Sequence, residues 1–583
     1  PEKVKGDLLG TIFHDLVPFE TRKSVAAFYT NVLAAELLAW LAMDRHDAKV
    51  ADLAVGSGGL LVAAYRRKRF LLEQERRFTP EDHRRFVEED LLGIDVMPFA
   101  ANVAACHLAL QAPKYPTNKV KIAVWDSTEL TPGRKIPPVA ALRAVLEGPY
   151  LRTTIEMFAE TKPEPKGVVS LREEVPEKIP LEYYDAIIMN PPFTRQERIP
   201  GAYKEVLFER FSDYKDYLHG QLGYYGYFIL LADRFLKEKG RMALVLPATV
   251  LRIRSCEGIR RLWAEKYHVE HIITTWHRSA FSESVRFREI LLVARKGEPT
   301  DRAKTVITVL KKLPSTLTEA REIADAIRHS QADWENEQMM VKVRNYSQLT
   351  RDTRNWFKHI AVSDLDLVEL YNKLFKPNKF VTLSSLVEDC SSKIVRGFEL
   401  RGGIVTRLIV HHKEDIALKK SDIWVLKEVT EKELSFYNRF TKSEFTIPKW
   451  KLRYTLRRGS GLDKMDVKSE VDYIIVDPLE DAEKMRLFER LCGFTLDKSL
   501  IEAINRDIDR RLGNVFIFWR FDISAPRTHL LAYYSPTYLA PTKFFWSIKL
   551  PENYAKLFVL WFNSTLNLLQ ILLLREETRG AFL

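Results

Sequence analysis

An apolar run at 184–189 stops at Asn190-Pro191-Pro192-Phe193, and no other stretch of the sequence carries as much chemical content. The two prolines remove two backbone donors and stiffen the turn. Asn190 therefore projects a fixed amide carbonyl, and Phe193 a fixed ring face, from the end of a strand. That pairing suits the holding of a planar amine; a strand-terminating turn with a core phenylalanine is the plainer alternative. A second feature is Asp52-Leu53-Ala54-Val55-Gly56-Ser57-Gly58-Gly59, between a short apolar strand and a helical pattern. Glycines there let the backbone turn tightly and approach a ligand with no Cβ in the way. Asp95, in Gly93-Ile94-Asp95-Val96, closes the next strand, where an acidic side chain can accept both hydroxyls of a ribose. Asp126, followed by Ser127, closes a third, placed to meet an adenine edge. Any one acid reads equally well as a helix cap. Acids on three successive strand ends favour a nucleoside-binding edge.

The elements that position these residues follow from periodicity. Helical spacing marks 21–43, 60–75, 98–110, 223–237 and 254–266; short apolar strands fall at 49–55, 91–96, 120–125, 184–189, 241–246, 269–275 and 289–294. Strands alternating with helices predict an α/β fold with a doubly wound, mainly parallel sheet, whose ligands sit at the carboxyl ends of strands. Prolines and charges over 133–180 interrupt this rhythm and predict an inserted loop region within a 1–300 domain. Residues 301–376 are charged and helical in pattern, as expected of a helical connector. From 377 to 583, short apolar runs separated by turns and basic patches predict a mixed α/β second domain.

Asn190–Phe193 after its apolar strand resembles the catalytic motif of adenine-N6 DNA methyltransferases. Residues 52–60 resemble their cofactor loop, usually Asp-Pro-x-Cys-Gly-Ser/Thr-Gly-Gly-Phe-Leu, with Leu53 and Val55 in place of Pro and Cys. Phe28-Tyr29-Thr30 resembles their Phe-Tyr-Thr-Pro motif, with Asn31 in place of the proline. The motif order is similar to that of type I modification subunits and of single-chain type II-G and phage-defence methyltransferases, and the likeness covers about 21–296.

This resemblance implies a Rossmann-like class I methyltransferase domain that binds S-adenosyl-L-methionine through Phe28, Tyr29, Thr30, Asp52, Ala54, Gly56, Ser57, Gly58, Asp95, Val96, Asp126 and Ser127. It implies catalysis by Asn190, Pro191, Pro192 and Phe193 on an adenine rotated out of the duplex, with Phe193 and Phe281 stacking on the base. It also implies a DNA target-recognition domain at 377–583, where Arg396, Arg401, Lys449, Lys451, Arg453, Arg457 and Arg458 are candidate DNA contacts. Double-stranded DNA, with specificity or restriction subunits, is the implied partner set. Rival readings are a methyltransferase for cytosine N4, RNA adenine or protein glutamine, and a non-catalytic DNA-binding subunit.

Composition sets outer bounds. Lys and Arg number 90 against 78 Asp and Glu, a net charge of +12, which suits a polyanionic partner and suits general solubility as well. The four cysteines are widely spaced, without metal or disulfide spacing, and read as small buried residues of a reducing prokaryotic cytoplasm. No metal site is expected; His411-His412 reads as a surface loop or strand. No apolar run reaches the roughly 18 residues of a membrane span. The start at Pro1 is expected of a trimmed chain or a piece of a larger one.

Overall fold

The computed structural model describes residues 30–117, 119–138, 166–169, 171, 177–194, 196–275, 277, 281–282, 288–300, 302–360, 366–376, 380–399, 405–414, 418, 420–457, 462–477, 479–518 and 530–574. Phe28, Tyr29, Arg401, Arg458 and the 139–165 part of the expected insertion lie outside these residues. The chain forms two compact units, one built on residues up to Val368 and one on Glu369–Leu572.

In the first unit, α1 (Val32–Ala42) opens at Asn31, whose side chain accepts the Leu33 N–H at 2.9 Å. The residue that replaces proline is thus a regular N-cap, and residues 21–29 of the expected 21–43 helix lie outside the described residues. The strands are β1 (Val50–Asp52), β2 (Leu91–Asp95), β3 (Ile122–Val124), β4 (Tyr184–Met189), β5 (Leu236–Pro247), β6 (Tyr267–Thr275), β7 (Glu289–Lys296), β8 (Lys304–Leu310) and β9 (Met339–Asn345). Helix α2 (Gly59–Glu73) follows β1 and α3 (Pro98–Ala109) follows β2; α4 (Gly201–Arg210) and α5 (Tyr224–Phe235) lie between β4 and β5. Helix α6 (Glu257–Lys266) joins β5 to β6, and α7 (Leu317–Arg328) joins β8 to β9.

Across the sheet the order is β9-β8-β6-β7-β5-β4-β1-β2-β3, with two-residue strands at both edges. Strands β3, β2, β1, β4 and β5 are parallel, while β7 runs antiparallel to both β5 and β6. Strand β4 is buried on both faces apart from Asp185, the mark of a parallel strand covered by helices on each side. The chain winds outward from β1 to β3 and then returns to lay β4 on the other side of β1, pairing Val50 with Ala186 and Ala51 with Ile187. That reversal opens a crevice at the carboxyl ends of β1 and β4, so the glycine turn and Asn190 start from neighbouring strands.

The stretch expected to be a helical connector extends this sheet. Strand β8 pairs parallel with β6 and antiparallel with β9. The β-branched run Thr305-Val306-Ile307-Thr308-Val309 fits a half-buried pleated surface better than a solvated helix. Helix α7 packs on α1, where the fully buried Glu36 is held by Arg66 and Arg321, each at 2.8 Å.

The second unit is a ten-stranded sheet. Its strands are β10 (Val395–Arg396), β11 (Ile409–His411), β12 (Trp424–Val429), β13 (Glu433–Asn438), β14 (Glu444–Pro448), β15 (Leu452–Leu456), β16 (Asp472–Ile475), β17 (Gly513–Phe518), β18 (Ala532–Pro541) and β19 (Phe545–Ile548). Their order is β10-β19-β17-β18-β15-β16-β11-β12-β13-β14. Helices α8 (Ala482–Cys492) and α9 (Lys498–Asp509) cover one region, where Phe488 stacks on Trp424 with ring centroids 4.8 Å apart. Cys256 and Cys492 are buried, but Cys106 is exposed on α3. Among the described residues no single helix is long and apolar enough to cross a membrane; Glu552–Phe562 and Thr565–Leu573 reach that length only together, across a 64° bend.

Candidate active site

The glycine turn is clipped to the end of β2. Gly56 N–H donates to Asp95 Oδ2 at 2.9 Å, and Met97 N–H to Asp95 Oδ1 at 2.8 Å, leaving each oxygen further lone pairs. Gly58, at φ +86°, caps α2 with no side chain, and a Cβ there would stand 3.1 Å from the Cα and Cβ of Ala104. Glycine at this position is a steric requirement of packing α2 onto α3. Asp52 Oδ1 accepts the Ala54 N–H at 3.0 Å, and its Oδ2 is buried without a hydrogen-bond partner. Burial pushes the Asp52 carboxyl well above its usual range, and the like charge of Asp95 adds to the rise. Desolvation also raises Asp95, against the pull of the Met97, Gly56 and Val96 N–H groups. Val96, next to it, is 44% exposed and offers an apolar face beside that carboxyl.

Asp126 and Ser127 are both hydrogen-bonded within the protein. Asp126 Oδ1 accepts the backbone N–H and the hydroxyl of Thr128; Oδ2 accepts the Tyr203 hydroxyl at 3.0 Å and Arg210 Nη1 at 2.9 Å. The acid expected at an adenine edge ties the end of β3 to α4 through Oδ2, which takes two donors from that helix, while Oδ1 is taken by Thr128 of its own turn. Ser127 Oγ donates to Leu53 O at 2.6 Å, joining the end of β3 to the glycine turn.

Asn190 is half-buried at the end of β4. Its Nδ2 donates to Thr30 Oγ1 and to Ser282 Oγ, both at 3.1 Å. Those two hydroxyls come together because Thr30 and Ser282 form an antiparallel bridge, while Asn31 N–H donates to Phe281 O at 2.8 Å. The Thr of the Phe-Tyr-Thr motif thus reaches Asn190 across 160 residues of sequence. Phe193 is 8% exposed and meets Tyr225 edge-on at 6.5 Å, so most of its ring is enclosed. Phe281, expected to stack on the target base, is 1% exposed; its ring packs inward, and only its backbone serves the site.

Sequence reasoning passed over Glu289, the first residue of β7. It is 3% exposed, and its Oε2 accepts the N–H of Ser282 at 2.9 Å and of Phe281 at 3.3 Å. Burial raises its carboxyl to about 7, opposed by the hydrogen bonds from Ser282 and Phe281. A charge directly ahead of the apolar run Ile290–Ala294 was the available signal.

In the second unit, the basic residues singled out as DNA contacts divide by burial. Lys451 is 5% exposed and pairs with Glu480 at 3.3 Å. Arg457 is buried against Asp422, with His411 3.3 Å away. These two side chains serve the fold. Arg453 is half-buried, 3.5 Å from Asp509, while Arg396 and Trp450 are exposed and Lys449 is intermediate. Of the pair expected on a surface loop or strand, His411 closes β11 and is buried, and His412 follows it, partly exposed, with Nδ1 2.6 Å from Asp472. The two histidines hold the Asp472 carboxyl well below its usual range despite burial. Among the described residues no group of His, Cys, Asp or Glu is arranged to hold a metal.

The strand order β3-β2-β1-β4-β5-β7-β6, with β7 antiparallel, and a glycine turn after β1 define a Rossmann-like class I methyltransferase fold. Residues 89–281, about a third of the chain, match the profile of the Eco57I restriction-modification methylase family. No curated protein matches the sequence. Among solved structures, the type IIG restriction endonuclease BpuSI is similar at 15% identity, over 93% of this chain and 56% of its own, with a TM-score of 0.43. The type I restriction-modification methyltransferase subunit of Streptococcus thermophilus aligns at 15% identity over 60% of this chain and 62% of its own, TM-score 0.35. The M protein of the type I restriction enzyme EcoKI aligns at 12% over 62% and 76%, TM-score 0.32. This chain therefore spans little more than half the length of BpuSI.

Proposed function

We propose that this chain is an S-adenosylmethionine-dependent DNA methyltransferase that modifies adenine N6, within a restriction-modification or phage-defence system. The observation that carries this reading is the Asn190 amide at the end of β4, its nitrogen tied to Thr30 and Ser282, beside the glycine turn of β1. The residues present fit the cofactor. Asp52 Oδ2, beside the glycine turn, is a buried oxygen without a hydrogen-bond partner, and Asp95 keeps lone pairs for ribose hydroxyls. When bound, S-adenosylmethionine supplies an activated methyl group.

Adenine N6 is a weak nucleophile because its lone pair is delocalised into the ring. Asn190 Oδ1 and the Pro191 carbonyl accept its two hydrogens, which favours a pyramidal nitrogen and stabilises the positive charge that develops there. Alignment of amine and methyl contributes ~7–11 kcal/mol in well-oriented cases. Pro191 and Pro192 keep the turn stiff, and Phe193 lends an apolar wall to a base rotated out of the duplex. Double-stranded DNA is the substrate, and residues 377–583 select the site, with Arg396, Lys449 and Arg453 among the contacts.

The test is transfer of a tritiated methyl group to DNA, RNA and protein in parallel, followed by nucleoside analysis. Label in DNA as N6-methyladenine supports the reading. Label confined to cytosine, RNA or glutamine replaces it with a rival, and failure to bind S-adenosylmethionine promotes a non-catalytic DNA-binding role.

A further inference from the structure

The hairpin between β13 and β14 ends in a turn held from several sides. Asn438, 2% exposed, accepts the Phe440 and Thr441 N–H groups on Oδ1, each at 3.0 Å, and the Lys442 N–H on its carbonyl at 2.9 Å. Arg439 N–H donates to Ile423 O at 2.8 Å, which ties the turn to the chain entering β12. Lys442 closes it at φ +58°, a left-handed geometry that glycine or asparagine adopts at lower cost. Phe440 stands at the tip of this turn, 58% exposed, an apolar ring that the fold leaves uncovered.

The ring is flanked by cations. Arg439 lies over the Phe440 ring at 4.8 Å, and Lys442 over Tyr437 at 5.0 Å. Among the described residues neither of the two is paired with an acid. The acids beside them are engaged elsewhere: Glu444, opposite Tyr437 in the ladder, pairs with Lys427 at 2.5 Å, and Glu414 accepts the Tyr437 hydroxyl at 2.8 Å. A polyanion alone would have no use for the ring, and an apolar protein surface would leave both charges unmatched. Stacked base pairs between two phosphate backbones suit all three side chains.

We propose that the 439–442 tip is a wedge for duplex DNA: Phe440 enters between neighbouring base pairs from the minor groove, and Arg439 and Lys442 neutralise the flanking phosphates. The inference rests on double-stranded DNA being the substrate. It adds to that reading a contact that deforms the duplex and reads no base edge, so it strengthens binding to all sequences alike. Rotation of a base out of the stack needs local unstacking, and a wedge in the same duplex supplies part of it.

The test uses the full chain and three variants: Phe440→Ala, Phe440→Trp, and Arg439→Ala combined with Lys442→Ala. Affinity for short mixed-sequence duplexes is measured by fluorescence anisotropy over a series of salt concentrations, and bending by energy transfer between dyes on the two duplex ends. Phe440→Ala should raise Kd on the order of tenfold and straighten the bound duplex, with the salt dependence unchanged, because no phosphate contact is lost. Phe440→Trp should stay near wild type in both readouts, since a flat apolar ring is kept. The double variant should lower the slope of log K against log salt by about 2, one phosphate for each cation. The substituted side chains lie at a hairpin tip, and unchanged thermal unfolding checks that the fold is kept. Wild-type affinity in Phe440→Ala, or a straight duplex in the wild-type complex, overturns the wedge. An unchanged salt slope in the double variant overturns the phosphate contacts. Wild-type DNA binding in all three variants leaves an acidic protein surface as the occupant of the tip and refutes the proposal. A wild-type chain that binds no duplex at all overturns the DNA reading, and the wedge with it.

Discussion

Replacement of Glu289 by glutamine should make stability less dependent on pH. The carboxyl titrates near its ordinary 4.5 in the unfolded chain and near 7 in the folded one, because burial disfavours its charged form. Between those values the unfolded chain has lost the proton and the folded protein keeps it, so rising pH favours unfolding. The contribution is full below 4.5 and is lost as pH climbs through 7. At ~1.36 kcal/mol per pH unit, wild type should lose roughly 2–3 kcal/mol between pH 5 and pH 8 that the glutamine variant does not lose. Urea unfolding of both proteins at the two pH values, compared as a difference, cancels any constant penalty of the amide. The expected result is that Glu289→Gln gains on wild type as pH rises. A difference that stays flat, or moves the other way, would refute a buried, protonated Glu289. The proton goes to Oε1, which carries no donor, so Oε2 continues to accept from Ser282 and Phe281 on either side of neutrality.

Asn190→Ala should reduce methyl transfer ~10²–10³-fold while cofactor affinity by calorimetry stays near wild type; equal activity would remove Asn190 from the chemistry. Asp95→Ala should weaken cofactor binding by ~1.5–3 kcal/mol, about ten- to a hundredfold in Kd, and an unchanged constant would count against the ribose contact. Gly58→Ala, which combines φ +86° with a 3.1 Å approach to the Cα and Cβ of Ala104, should lower stability by ~1–3 kcal/mol, as read by thermal unfolding; wild-type stability would count against that close packing. Arg457→Ala withdraws the partner of buried Asp422 and should cost ~3–5 kcal/mol of stability. Wild-type stability with reduced DNA affinity would return Arg457 to a DNA-contact role.

The local signals in the sequence were strong wherever one element decides them. Strand β4 was legible because the apolar run Ala186–Met189 meets two prolines, and the glycine turn because the left-handed cap of α2, pressed against Ala104, favours glycine. What the sequence hid depends on distant partners. The use of Asp126 is decided by Arg210, 84 residues away, and the surroundings of Asn190 by Thr30 and Ser282. Phe281 looks the same in sequence whether its ring faces a ligand or the core; a backbone bond to Asn31 accompanies the second. Strand β8 was read as part of a helical connector because its flanks, including α7, are charged and helical, although its own β-branched residues argue for a strand. Lys451 and Arg457 flank β15 at its two ends, and their burial is decided by Glu480 and Asp422, which nothing in the basic stretch itself announces.

The most direct measurement is nucleoside mass spectrometry on genomic DNA from a host without adenine methylation of its own, expressing either wild type or Asn190→Ala. N6-methyladenine at a recurring sequence in the wild-type host, and its absence in the variant, is the expected outcome. Unmodified adenine in both hosts, from a folded protein that binds S-adenosylmethionine, would contradict the assignment of the Asn190 turn to amine transfer.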